Sequence, residues 1–266
     1  QREGPPCARR GSKAGQGMSD QLIRLEREGD VFILNMAADE NRWNTSFVAA
    51  YDAALDEVEA SVGPVALVTA SDSEKFFSNG LDLDWVRSKG EHPGGDRAVF
   101  GAAYMKMCAR LITFGVPTVA AINGHAFGAG FMIALCHDLR IMREDRGFLC
   151  ANEVELGMTI PEPELALFRH KIPAGVFHET VVLAKRWTGR DAHNAGIVQA
   201  TATLEAIRAT AIQTAEAHLR VAGNRKVMTW MKERLYGERS AISDAHGAAH
   251  MLRNSEAFST PRPELG

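Results

Sequence analysis

TVAAINGHAFGAGFMIALCHDLR, residues 118–140, decides how this chain is read. Its opening run is small, β-branched and uniformly apolar, as in a strand covered on both faces. Gly124, Gly128 and Gly130 break that run, and FMIALC continues as a helix-like apolar segment. A strand that passes through such a turn into a helix leaves backbone N–H groups unpaired at the helix N-terminus, where the partial positive charge favours an anion. The glycine spacing is not G-x-G-x-x-G and no Lys-Ser/Thr follows, so the phosphate-loop reading is weak.

The same succession occurs upstream. VALVTAS (65–71) is a second short apolar run, and it leads into FFSNGLDLDWV (76–86), where Gly80 permits a close backbone approach. Either turn alone is most simply a tight turn without a ligand. Two of them after two buried strands can supply converging N–H donors, the construction of an oxyanion hole. Alternating strand, loop and helix argues for α/β layering.

Outward from these blocks, LIRLERE and VFILNM flank Gly29-Asp30, which predicts a β-hairpin over Leu22 to Met36. Phe47, Val48, Tyr51, Leu55 and Val58 recur at helical spacing and predict a helix from Thr45 to about Ser61. After Pro161 the pattern turns mostly helical, with segments near 164–171, 175–186, 191–195, 203–221, 224–236 and 243–254. Residues 1–17 combine Gly, Pro, Arg and Lys without periodicity and precede Met18, so they are expected to be an extension. The core is expected over 18–200 and a helical C-terminal region over 201–266.

The 266 residues carry 30 Lys and Arg against 33 Asp and Glu, and this near balance provides no basic field to attract nucleic acid. Cys7, Cys108, Cys136 and Cys150 show neither C-x-x-C pairing nor zinc-finger spacing, so reduced thiols and no metal are expected. No apolar run is long enough to span a bilayer, and no secretory signal opens the chain. A soluble protein of a reducing, cytoplasmic compartment is expected; the final Glu-Leu-Gly is not of the Ser-Lys-Leu type.

FFSNGLDL and AAINGHAFGAGFMIALCHDLRI together resemble the two signature stretches of the crotonase superfamily, the enoyl-CoA hydratase/isomerase family. WTGRDAHNAGIV resembles the family's later T-G-R and A-x-x-G-I/L-V stretch, so the likeness spans about 22–258. It implies a crotonase (ClpP/crotonase-like) fold, a ββα-spiral with a C-terminal helical trimerisation region, assembled as a homotrimer or a dimer of trimers. It implies an acyl-CoA substrate, with coenzyme A entering as the thioester and no separate cofactor. The backbone amides of Asn79 and Ala129 are the implied oxyanion donors. Arg42, Trp43, Asn44, Leu81, Asp82 and Leu83 are the implied contacts to the CoA portion, and Phe77, Gly128 and Met132 the further substrate-binding positions.

Hydratases of this family carry two glutamates. Here the first position is Met132, and only the second is kept, as Glu153. ANEVELG resembles the N-E-x-x-L/I-G stretch of Δ3,Δ2-enoyl-CoA isomerases, and FFSNGLDL is most similar to the peroxisomal type. The implied activity is transfer of the double bond from 3-enoyl-CoA to trans-2-enoyl-CoA in fatty acid degradation, with Glu153 shuttling a proton from C2 to C4. Its apolar sequence neighbours, Phe127, Phe131, Met132 and Leu156, predict a raised pKa. Hydration, or another crotonase reaction on an acyl-CoA, is the second reading. An idle scaffold binding acyl-CoA or RNA is the third, opposed by the retained Glu153 and the absence of a basic stripe.

The remaining candidates read as structural. Glu155 is expected to face away from Glu153, and Glu162 and Glu164, beside Pro161 and Pro163, are expected at the surface of a turn. His125 reads as a packed residue. In Cys136-His137-Asp138, adjacent helical positions cannot form a nucleophile–base pair, and Asp138 reads as a helix-end or buried hydrogen-bonding group.

Overall fold

The computed structural model of the protein describes residues 21–89, 96–243 and 245–258; the expected extension, 1–17, lies outside them. The opening hairpin is present. Strands β1 (Ile23–Glu28) and β2 (Val31–Met36) run antiparallel, with Glu28 opposite Val31 and Gly29 supplying the left-handed residue of the turn at φ +58°. Helix α1 (Thr45–Ala60) follows, capped by the Asn44 side chain, which accepts from the Phe47 N–H at 3.0 Å.

Three successive ββα units then build the body. The first is β3 (Ala66–Ser71) and β4 (Phe76–Ser78) with α2 (Leu83–Lys89) and α3 (Asp96–Ile112). The second is β5 (Thr118–Ile122), β6 (His125–Phe127) and α4 (Ala129–Cys136). The third is β7 (Leu139–Arg143) and β8 (Leu149–Cys150), then a 3-10 turn over Val154–Leu156 and α5 (Glu162–Lys171). In each unit the first strand joins one sheet and the second strand another. The chain continues through α6 (Ala174–Val181), α7 (Gly189–Asn194) and β9 (Ala200–Ala202), giving a six-stranded sheet β1-β2-β3-β5-β7-β9 and a three-stranded parallel sheet β4-β6-β8. This is the ββα-spiral that the resemblance implies.

Side-chain alternation explains the layering. Val31, Ile33, Val68, Val119, Ala121 and Ile141 point to one face of the large sheet, which α8 (Leu204–Glu216) covers with Ile207, Ala211 and Ala215, spaced by four. Leu34, Met36, Leu67, Ala120 and Ile122 point the other way, into a core shared with α1, α3 and α4. That is why β3 and β5 read as continuous apolar runs.

The helix expected over 203–221 is divided: α8 ends at Glu216, and a 3-10 run follows over Leu219–Asn224. The Asn224 side chain caps α9 (Arg225–Tyr236), accepting from the Val227 N–H at 3.2 Å, so a new helix starts there. Arg225 grips the end of α1 and the loop beyond it through the Val58 and Gly63 carbonyls. Helices α10 (Ala248–Arg253) and α11 (Ser255–Phe258) follow, and α10 packs on α3 and α5.

Candidate active site

Because β4, β6 and β8 lie side by side and parallel, their C-terminal ends share one edge. The spiral therefore brings together the loop at 79–82, the start of α4 and the segment Asn152-Glu153, which are far apart in sequence.

In the first loop, Trp43 and Leu81 form a parallel bridge: the Trp43 N–H donates to the Gly80 carbonyl at 2.8 Å, and the Asp82 N–H donates to the Trp43 carbonyl at 3.0 Å. Such a bridge uses the groups on either side of Leu81 and turns the N–H of Leu81 itself the other way. Among the described residues that N–H has no acceptor. The Asn79 N–H, expected to be an oxyanion donor, donates instead to the Glu40 carbonyl at 2.9 Å, and the Asn79 side chain donates to Glu40 Oε2 at 2.8 Å. The free donor of this loop belongs to Leu81, two residues on from the expected position. Gly80, at φ +80°, lets the loop lie against the next turn: a Cβ there would stand 2.7 Å from the Phe127 carbonyl oxygen and 3.7 Å from the Ala129 nitrogen.

At the second turn the Gly128 N–H donates to the Cys150 carbonyl at 2.9 Å, and the Gly128 carbonyl accepts from Phe131 and Met132. The Ala129 N–H, at the first position of α4, has no acceptor among the described residues, as expected. Tyr104 holds this turn from α3, its hydroxyl donating to the Ala129 carbonyl at 2.7 Å.

Glu153 follows β8. Its carbonyl accepts from the N–H groups of Leu156 and Met158, which fixes the turn, while its carboxylate leans over Gly128. Oε1 lies 2.9 Å from where a Gly128 Cβ would be, and Oε2 is buried without a partner. Burial raises the Glu153 pKa, the direction expected. Leu156, expected among its apolar neighbours, is 50% exposed instead. Glu155 points away and pairs with Arg186 at 2.7 Å.

Glu164 corrects the surface assignment. Pro161 and Pro163 do not form an exposed turn; they lead into α5, whose first turn tolerates proline because its N–H groups need no intrahelical partner. The helix turns Glu164 inward, where burial first, and then the ionised Glu153, push its pKa up to about 8. Glu162 stays half-buried at the start of the same helix. The spacing Glu164, Leu167, Phe168, three and four residues apart, is the signal in the sequence that marks this inward face.

The expected substrate contacts divide. Trp43 and Phe77 are fully buried and Met132 is 2% exposed, so their side chains belong to the core; Trp43 packs edge-on against Phe47 at 4.9 Å between centroids. Arg42, Asn44 and Asp82 border one cleft of about 370 Å³, which Asp39 and Glu40 also line. Arg42 is not free there, because it pairs with Glu40 at 2.5 Å and Asp84 at 3.5 Å. Asn44 donates to Asp82, and Asp82 also accepts from the Trp85 N–H, so both brace the α1 and α2 starts. Leu83 is half-buried at the first position of α2. His125 stacks on Phe127 at 5.1 Å, as a packed residue does. Asp138, half-buried, accepts from the Thr118 N–H and from Lys232, a hydrogen-bonding role. Among the described residues no three His, Cys, Asp or Glu side chains cluster as metal ligands.

Residues 30–252 match the family model described as enoyl-CoA hydratase/isomerase. The chain is 30% identical to enoyl-CoA delta isomerase 3 of Arabidopsis thaliana, over 84% of this chain and 95% of that protein. It is 33% identical to the peroxisomal enoyl-CoA delta isomerase 2 of the same plant, over 68% of this chain and 77% of that one. Its fold is similar to that of human mitochondrial delta3-delta2-enoyl-CoA isomerase, with a TM-score of 0.76 and 22% identity, covering 90% of this chain and 89% of that chain.

Proposed function

The chain belongs to the enoyl-CoA hydratase/isomerase family, and from that premise we propose that it converts 3-enoyl-CoA to trans-2-enoyl-CoA with Glu153 as the proton carrier. The observation that carries this reading is the Glu153 carboxylate over Gly128, beside the two free N–H groups of Leu81 and Ala129.

The C2 proton of a 3-enoyl thioester is acidified by both the carbonyl and the double bond. The Glu153 carboxylate takes it, and the electron pair of the broken C–H bond spreads through a dienolate onto the thioester oxygen. The Leu81 and Ala129 N–H groups and the α4 N-terminus hold that oxygen, and loss of one such donor costs about 3 kcal/mol at comparable sites. Glu153, now a carboxylic acid, returns the proton to C4, and the double bond settles between C2 and C3. A base with a raised pKa suits this exchange, because it gives the proton back as readily as it takes it.

The reaction calls on no cofactor beyond the CoA of the substrate. We assign the cleft bordered by Arg42, Asn44 and Asp82 to the CoA portion. A homotrimer is supported by the exposed apolar face of α9, and a reducing cytoplasmic setting by Cys108, Cys136 and Cys150, which are buried free thiols. No helix among the described residues is long and apolar enough to cross a membrane.

Purified protein incubated with a 3-enoyl-CoA is expected to generate the absorbance of a conjugated enoyl thioester, and crotonyl-CoA to lose none of it through hydration. Rapid loss from crotonyl-CoA with no isomerisation of the 3-enoyl substrate would replace this reading with a hydratase.

A further inference from the structure

Helix α4 begins without a capping side chain, because its cap, Gly128, has none to offer. Yet the Ala129 N–H has to stand still, since an oxyanion hole works only where its donors are already in place when charge develops. The side chain that reaches this turn is Tyr104 of α3. It is 2% exposed, and its hydroxyl donates to the Ala129 carbonyl at 2.7 Å. A carbonyl oxygen has two lone pairs, so Ala129 can take this bond and still serve the helical ladder. Burial raises the Tyr104 pKa well above its ordinary value, so the hydroxyl stays a donor even in alkaline solution.

Tyr104 also touches the other half of the site. Its ring meets that of Trp43 edge-on, with 5.4 Å between centroids and 63° between planes. Trp43 is the residue whose N–H and carbonyl bind Gly80 and Asp82 and so leave the Leu81 N–H free. Phe100, one turn earlier on α3, stacks on Tyr104 at 6.0 Å and meets Trp85 at 5.4 Å. Trp85 in turn donates its backbone N–H to Asp82. The loop at 79–82 is therefore held from both ends of one row of rings, Trp43, Tyr104, Phe100 and Trp85, and aromatic pairs of this kind contribute beyond the area they bury.

Within that row, Tyr104 is the member that contacts both halves. We propose that Tyr104 is a positioning residue for the oxyanion hole: its hydroxyl fixes the Ala129 turn, its ring fixes Trp43, and one buried side chain thereby sets the spacing between the Ala129 and Leu81 donors. This rests on the isomerase reading above and deepens it. The effect falls on the dienolate more than on the bound thioester, because the oxygen gains its negative charge only after the proton has left C2.

Tyr104→Phe removes the hydroxyl and keeps the ring; Tyr104→Leu removes both. On a 3-enoyl-CoA, Y104F is expected to lose about tenfold in kcat with KM little moved, less than the roughly hundred- to thousandfold that follows deletion of an oxyanion donor. Y104L should lose more, because the Trp43 contact goes as well. A fall in the folded fraction would also lower kcat, so the deciding readout is one that does not depend on the amount of active protein. Butyryl-CoA, isotope-labelled at the thioester carbonyl carbon, cannot isomerise, and its carbonyl stretch in the infrared drops when two donors polarise the bond. Bound to wild type, the band is expected below that of free butyryl-CoA; bound to Y104F it returns part of the way, and bound to Y104L further.

A Y104F band that coincides with wild type overturns the proposal, as does a wild-type kcat in Y104F. Where Y104L does not fold, Y104F alone decides. A wild-type band that stays at the position of free butyryl-CoA removes the paired donors and the proposal with them. A band that drops in wild type and returns in Y104F, in a protein inert toward 3-enoyl thioesters, supports the role of Tyr104 and overturns the isomerase reading alone.

Discussion

Oε1 of Glu153 lies 2.9 Å from the point at which a Cβ on Gly128 would stand, and Gly128 itself sits at φ +48°. The glycine is thus required twice, for a left-handed backbone at the start of α4 and for room under the carboxylate. Gly128→Ala is expected to push the Glu153 side chain off its position. A misplacement of about 1 Å costs about a hundredfold in rate, and the strained backbone adds a stability loss of about 1–3 kcal/mol. Steady-state kinetics and denaturant unfolding measure the two losses separately; a variant with wild-type kcat would detach Glu153 from the chemistry.

Glu153→Gln is expected to lower kcat on a 3-enoyl-CoA by about a hundred- to ten-thousandfold, the range for a lost general base. Its stability should not suffer, because the carboxylate is buried with Oε2 unpartnered and the neutral amide removes a desolvated charge. A loss of activity accompanied by a large drop in melting temperature would point to a structural role instead.

The sequence makes the spiral legible, because each of its units is local: a buried strand, a glycine turn and a helix read in order, and the paired turns mark the edge where the site forms. What escapes is decided by pairings across the chain. The free N–H belongs to Leu81 rather than Asn79 because of a bridge to Trp43, and no spacing within 76–86 encodes that bridge. Trp43 and Phe77 border the site in sequence and yet turn into the core. Glu164 is hidden by its prolines, which suit an exposed turn as well as they suit the first turn of a helix. Only its spacing from Leu167 and Phe168 distinguishes the two.

The raised pKa of Glu164 also carries a stability prediction. The folded state holds its proton up to about pH 8, whereas an ordinary glutamate carboxyl, with a pKa of 4.5, releases it far earlier. The native state therefore binds more protons over that window. The stability this proton contributes is fully present below about pH 4.5 and is lost progressively as the pH rises to about 8. Glu164→Gln has no such proton to release, so the variant should gain on wild type across that window, on the order of 1.4 kcal/mol for each pH unit crossed. Urea unfolding of both proteins along a pH series checks this, and parallel curves would contradict it.

Lys232 ties α9 to the body. Its ammonium is buried and donates to the Phe114 carbonyl at 2.8 Å, the Val116 carbonyl at 3.3 Å and Asp138 Oδ2 at 2.7 Å, while Asp138 in turn accepts from the Thr118 N–H at 2.9 Å. Lys232→Met keeps much of the volume and leaves Asp138 and both carbonyls without that donor. Removing one partner of a buried pair costs about 3–5 kcal/mol; Asp138 keeps some solvent and its Thr118 bonds, so a loss near the lower end, about 3 kcal/mol, is expected. Denaturant unfolding reads it directly.

The outer face of the same helix makes the last prediction. Val227, Trp230 and Met231, three and four residues apart, form one stripe on α9 and are 44%, 65% and 52% exposed. An apolar stripe of this size, with a tryptophan at its centre, is a surface that a soluble protein normally covers with a partner. A second and third copy of this chain are the partners in the proposed trimer. Trp230 is mostly exposed in the single chain, so Trp230→Glu should change the fold and its melting temperature little while placing a charge in each interface. Sedimentation equilibrium should then find wild type at three times the chain mass and the variant shifted toward one. If wild type sediments as a monomer, or the variant remains trimeric, this stripe is not the trimer contact.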